Sequence, residues 1–146
     1  MDISVEIKKL RPEAQLPTRG SQQAAGYDLH ACLSSDLAIA PGATVLVGTG
    51  LAFALPQGYF GGVFARSGLS VKQGLRPANC VGVIDSDYRG ECLVFLHNDS
   101  DEARCVRHGD RIAQLVVLPY LPVNFCEVDE LDATQRGQGG FGSTGR

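Results

Sequence analysis

The chain has 146 residues and carries 13 basic against 16 acidic side chains, a net charge of −3 with a sequence pI near 5.5. That is one domain's worth of sequence, and the negative balance excludes the global positive field on which non-specific nucleic-acid binding rests. Glycine is about 12 % of the chain against an average near 7 %, and seven prolines further interrupt a composition that is 44 % apolar, which favours many turns over a helix bundle.

The opening Met1-Asp2-Ile3-Ser4-Val5-Glu6-Ile7 lacks the regions of a signal peptide. Its alternation of Ile3, Val5 and Ile7 with Ser4, Glu6 and Lys8 predicts a first strand with one face on a core. Further strand-like runs follow at Tyr27 to Leu33, Thr44 to Phe53, Tyr59 to Phe64, Cys80 to Ile84, Cys92 to His97, Ile112 to Leu118 and Val123 to Val128. Turn chemistry separates them at Pro41-Gly42, Pro56-Gln57-Gly58, Asp85-Ser86-Asp87, Asn98 to Asp101 and His108-Gly109-Asp110. Many short strands at this spacing predict an all-β sandwich, jelly roll or small barrel. Only Ser67 to Gly74 asks for a helix, a short one with Ser67 available as N-cap and Gly74 placed to end it.

No apolar run approaches the ~20 residues that span a bilayer, so a soluble cytoplasmic protein is expected, with no direct contact to membrane or nucleic acid. The five cysteines agree, being odd in number, scattered and free of any C-x-x-C pair, which disfavours both a disulfide framework and a zinc site. Cys32, Cys92 and Cys126 stand in apolar runs and are expected in the core.

The last fourteen residues change character. Residues 133–146 hold five glycines and one large apolar side chain, Phe141, and read as a flexible arm beyond a domain of residues 1–132. Gly137-x-Gly139-x-x-Gly142 matches the dinucleotide fingerprint formally, but too few residues follow it to build the helix that motif needs. What remains are backbone N–H groups, Arg136, the hydroxyls of Ser143 and Thr144, and the plane of Phe141. Those are the parts of a phosphate clamp with a stacking lid, or else of a solvated tail.

Within the domain, Arg66-Ser67-Gly68 before the short helix reads as an anion site or as an ordinary cap beside a surface arginine. Asn79 to Glu91 reads as a β-hairpin with an acidic tip, in which Asp85 either shapes the turn or activates a water, and Tyr88 either packs at the core edge or walls a pocket. Asp28 lies among apolar strand residues and needs a cation or a metal hydration shell. Arg111 reads as the partner of a buried carboxylate, and the amide of Gln114 needs a partner on an apolar face. His30, His97 and His108 have no metal-ligand spacing.

Five segments in this order resemble the motifs of the trimeric deoxyuridine triphosphate diphosphatase (dUTPase) family: Ala25 to Leu29, Ala65 to Gly68, Gly82 to Gly90, Gly109 to Gln114, and Arg136 to Gly145. The resemblance spans almost the whole chain and implies a distorted jelly-roll-like β-barrel, assembled as a homotrimer with active sites at subunit interfaces. It implies that Asp85 activates the water attacking the α-phosphorus of dUTP, giving dUMP and pyrophosphate. Main-chain groups would hold uracil, with Asn79, Val83, Ile84 and Leu93 near the base and Tyr88 under the deoxyribose. Arg66, Ser67, Gly68 and Gln114 would contact the phosphates, and Asp28 would hold, through water, a Mg²⁺ chelated by the triphosphate. From the arm, Arg136, Gly142, Ser143 and Thr144 would close on the β- and γ-phosphates while Phe141 stacks on uracil.

Ala65 departs from the proline that many members carry before Arg-Ser-Gly. The related dCTP deaminases share the fold and place a catalytic glutamate in the strand after the hairpin; Cys92 to Leu96 holds none, and Glu91 lies in a different register. A nucleotide-sensing module on the same fold is the non-catalytic alternative.

Overall fold

The computed structural model describes residues 3–140 and Gly142. Among them, the strands of the first half are β1 (Glu6–Lys9), β2 (Thr18–Arg19), β3 (Tyr27–His30), β4 (Leu37–Ile39), β5 (Thr44–Ala54) and β6 (Tyr59–Phe64). The helix α1 (Ser67–Gln73) follows, and then β7 (Leu75–Pro77), β8 (Val81–Ile84), β9 (Glu91–Asn98), β10 (Arg104–Val106) and β11 (Arg111–Pro119).

A four-stranded sheet runs β1-β5-β9-β7 and a five-stranded sheet runs β2-β3-β11-β6-β8, with β4 and β10 as a separate pair. All pairs are antiparallel. The two larger sheets share one core, to which the first contributes Val47, Leu51, Val94 and Leu96 and the second Leu29, Val63 and Leu115. This is the expected all-β, distorted jelly-roll-like arrangement.

Period-two patterning explains the inner faces. In β9, Cys92, Val94 and Leu96 point into the core while Leu93 and Phe95 stay exposed on the other side. β5 alternates only as far as a bulge, where its register to β9 shifts between Gly48 and Ala52. Gly50 sits in that bulge at φ 69, a left-handed conformation that costs an L side chain about 1–2 kcal/mol.

Four expectations need correction. The segment Asn79 to Glu91 is not a hairpin, because β8 pairs with β6 in one sheet while β9 pairs with β5 and β7 in the other. Its acidic turn crosses between the sheets. Helix α1 has the expected length and ends at Gly74 in the left-handed region, but its N-cap is Arg66, and no side chain caps it. Val123 to Val128 forms no strand, because among the described residues no sheet edge pairs with it. Cys126 is accordingly exposed, whereas Cys32 and Cys92 are buried as expected.

Candidate active site

The turn from Asp85 to Gly90 bridges the ends of two strands in different sheets, so a cleft opens between them. A cavity of about 290 Å³ lies there, near the lower size limit of small-molecule sites. Asn79, Val83, Ile84, Asp85, Tyr88 and Leu93 all line it, so six of the expected site residues are brought together. Val83 and Leu93 supply exposed apolar walls from facing strands. β8 is an edge strand, paired with β6 on one side only, so it presents unpaired backbone N–H and C=O groups beside those walls.

Asp85 is exposed at the rim and also borders a more open, polar depression with Gln57, Ser86, Arg89 and Tyr120. A carboxylate between a walled cavity and open solvent is placed to meet both a ligand and a water. The turn holds itself together through the Tyr88 N–H, which donates to the Asp85 carbonyl at 3.1 Å, and through Arg89, whose Nη1 donates to the Ser86 carbonyl at 2.7 Å.

A second cluster forms where β3, β11 and the end of β6 meet. Arg66 Nε donates to Asp28 Oδ1 at 2.7 Å, and Arg111 Nη1 lies 3.6 Å from Asp28 Oδ2, so the carboxylate has found the cations it needs. Gln114 Nε2 donates to the Ala65 carbonyl at 2.9 Å, and its side-chain oxygen occupies the space that a Cβ at Gly26 would fill. That contact fixes the approach to Arg66, Ser67 and Gly68, the latter two exposed. His30, buried behind this cluster, leaves Nδ1 without a partner; burial holds its pKa below the usual imidazole range, although the Asp28 charge opposes this.

The two clusters do not meet within one chain. Register pairs Phe64 with Val81 and Gly61 with Ile84, so Arg66 follows one end of the β6–β8 pair and Asp85 follows the other. Six residue steps at about 3.3 Å place them roughly 20 Å apart. Arg136 and Gly142 are exposed, while Phe141, Ser143 and Thr144 lie outside the described residues.

No group of three or more His, Cys, Asp or Glu among the described residues could hold a metal ion. Asp28 is a single carboxylate already facing two guanidinium groups, so these residues do not make a set of ligands for a resident ion.

Two residues at the site were not singled out from the sequence. Glu91 lines the cavity, and Arg11 holds its carboxylate at 2.5 and 3.3 Å. That pairing holds Glu91 below the usual carboxylate range and raises Arg11 further. Eighty positions separate them, and no local pattern could have joined them.

A two-sheet β fold with a half-polar cavity at the mouth between its sheets, a carboxylate on the rim and a free strand edge beside it defines a small-ligand protein of the jelly-roll class. The sequence profile described as dUTPase matches residues 12–145. The deoxyuridine 5'-triphosphate nucleotidohydrolase of Nautilia profundicola is 47 % identical over 144 residues, covering 99 % of this chain and all of that one. That of Desulfitobacterium hafniense is 52 % identical over 146 residues, covering 98 % and 97 %. The solved dUTPase of Staphylococcus bacteriophage 80alpha, determined with dUpNHpp, superimposes with a TM-score of 0.88 at 27 % identity over 98 % of this chain and 99 % of its own. The chain belongs to the dUTPase family.

Proposed function

We infer that the protein is a dUTP diphosphatase, hydrolysing dUTP to dUMP and pyrophosphate, which limits uracil in DNA and supplies dUMP for dTMP synthesis. The observation that carries this reading is the cavity at the Asp85 to Gly90 turn, with a carboxylate, an aromatic ring and a free strand edge converging on it in a chain of this family.

Asp85 orients a water from the open depression and takes its proton as the oxygen attacks the α-phosphorus, with pyrophosphate leaving in line. The edge of β8 supplies the main-chain donors and acceptors for uracil, while Asn79, Val83, Ile84 and Leu93 enclose the ring and leave no room for the thymine methyl. A cytosine edge would leave these backbone groups mispaired, a stronger discrimination than any lost methyl contact. Tyr88 packs under the deoxyribose and excludes a ribose 2′-hydroxyl.

The phosphates need cations that this acidic chain concentrates locally. Arg66, Ser67, Gly68 and Gln114 contact the phosphate chain, and Asp28 meets, through water, a Mg²⁺ chelated by the triphosphate. When bound, Mg²⁺ neutralises phosphate charge. Because Arg66 and Asp85 of one chain are too far apart for one triphosphate, the two clusters come from different copies of the chain in a homotrimer, with active sites at subunit interfaces. The segment after β11 leaves Leu121 (87 %), Phe125 (96 %) and Leu131 (88 %) exposed, apolar side chains that such an assembly would cover. Residues 133–146 act as an arm: Arg136, Gly142, Ser143 and Thr144 close on the β- and γ-phosphates, and Phe141 stacks on uracil. Five unpaired cysteines suit the reducing cytoplasm, where we place the reaction.

Incubation with Mg²⁺ and, separately, dUTP, dCTP, dTTP and UTP, with products separated by chromatography, tests the reading. Only dUTP is expected to turn over, to dUMP. Loss of the amine from dCTP would make the protein a deaminase, and dUTP bound without turnover would make it a sensor.

A further inference from the structure

The turn that carries Asp85 and Tyr88 crosses between sheets and has no ladder of its own, so its position is set where it joins β8 and β9. At the β9 end the ladder is interrupted. Gly48 pairs with Leu93, the next pair is Ala52 with Glu91, and the bulge between them takes the Gly50 N–H out of register. The Glu91 side chain repairs this gap. Its Oε1 accepts the Gly50 N–H at 2.7 Å and pairs with Arg11 Nη2 at 2.5 Å, while Oε2 faces Arg11 Nη1 at 3.3 Å. Arg11 is itself held by Cys32, whose Sγ accepts from Nε at 3.5 Å. Room for the pair comes from Gly48, where a Cβ would lie 2.6 Å from Glu91 Oε1.

The main chain of the same residue faces the site. The Tyr88 hydroxyl donates to the Glu91 carbonyl at 3.0 Å, with the ring folded over Gly90 so closely that a Cβ there would collide with it. One residue therefore ties the N-terminal segment and the β5 bulge, through its carboxylate, to the pocket-lining aromatic, through its carbonyl. We propose that Glu91, clamped by Arg11, is a positioning residue that sets the Tyr88 ring and thereby the preference for a deoxyribose over a ribose nucleotide. The proposal rests on the dUTP diphosphatase reading, in which Tyr88 lies under the sugar. A carbonyl displaced by a fraction of an ångström carries the phenol with it, and the sugar face of the pocket loosens.

The test measures kcat and KM for dUTP and for UTP in the full-length protein, alongside thermal melts, for Glu91→Gln, Glu91→Ala, Arg11→Ala and Arg11→Lys. Arg11→Ala and Glu91→Ala should lower the dUTP-to-UTP ratio of kcat/KM by about tenfold or more. Arg11→Lys, which keeps the charge but not the fork, should recover only part of that ratio. The double alanine variant should be no worse than Glu91→Ala alone, because the two residues act as one unit. Glu91→Gln keeps the volume and an acceptor for the Gly50 N–H, so it decides the matter if Glu91→Ala does not fold; its ratio should fall with that of Arg11→Ala. An unchanged ratio in folded Arg11→Ala and Glu91→Gln, even with lower melting temperatures, would reduce the pair to a structural brace and overturn the proposal. A wild-type protein that turns over dUTP and UTP alike would overturn it too, by removing the role of Tyr88. One that turns over neither would strike at the diphosphatase reading itself.

Discussion

Asp85 and Glu91 stand at the two ends of one turn, and their surroundings divide their roles. Asp85 is exposed at the rim of the cavity, free to meet a water, whereas Glu91 is bound to Arg11 and the Gly50 N–H. Asp85→Asn keeps shape and polarity but cannot take a proton. Turnover of dUTP should fall by roughly 10²–10⁴-fold, the range for loss of a positioned general base, while a non-hydrolysable analogue should still bind in a calorimetric titration. Near wild-type turnover would remove Asp85 from the reaction. For Glu91 the pairing has a consequence for stability as well. Its folded pKa is depressed below the unfolded value, so the stabilisation is fully present above about pH 4.5 and is lost as pH falls through the folded pKa. Urea midpoints measured between pH 6 and pH 3 should therefore drop more steeply for the wild type than for Glu91→Gln. Parallel curves would show that Arg11 gives Glu91 no net advantage on folding.

At the scale of the element, the β5 bulge is the feature on which the site's placement turns. Gly50→Ala would force a Cβ into the left-handed region, within 3.1 Å of Cys32 Sγ and closer still to the methyl of Ala14. The two effects should together lower stability by about 2–5 kcal/mol, read from urea unfolding. A change below about 0.5 kcal/mol, the scatter of a neutral surface substitution, would mean that the bulge relaxes freely. The same element shows what could be read from the chain. Long strands such as β5, β6, β9 and β11 announce themselves through runs of Val, Leu and Phe. β2, β4 and β7, of two or three residues, are too short to show a period and exist only because a neighbour pairs with them. The turn signal at Asp85 to Asp87 marked a reversal correctly, but a turn does not encode which sheet receives the returning strand. The β-branched and aromatic residues of Val123 to Val128 supply strand propensity without a partner, and propensity alone makes no ladder. Likewise, Asp28 and Gln114 could be picked out by the cost of burying their polar groups. The Arg11–Glu91 pair could not, since its meaning appears only once β5 and β9 lie side by side.

At the scale of the molecule, the proposed function makes the assembly part of the chemistry, since the two clusters of one chain lie apart. Sedimentation should give three times the 15.5 kDa chain mass, and a fully active monomer would show that one chain completes its own site. The arm can then be tested apart from the assembly. Ending the chain after Gln135 removes Arg136, Phe141, Ser143 and Thr144 but leaves every described strand, the helix and the shared core in place, since β11 closes at Pro119. The shortened protein should keep its oligomeric mass and its melting temperature. Its kcat/KM for dUTP should nevertheless fall by roughly 10²-fold, because a triphosphate left open to water loses both the orientation and the charge neutralisation on which phosphoryl transfer depends. Added salt should weaken the full-length enzyme more than the truncated one, as screening acts on the cation the arm brings. Equal rates for the two proteins would separate the arm from catalysis, whatever its residues resemble.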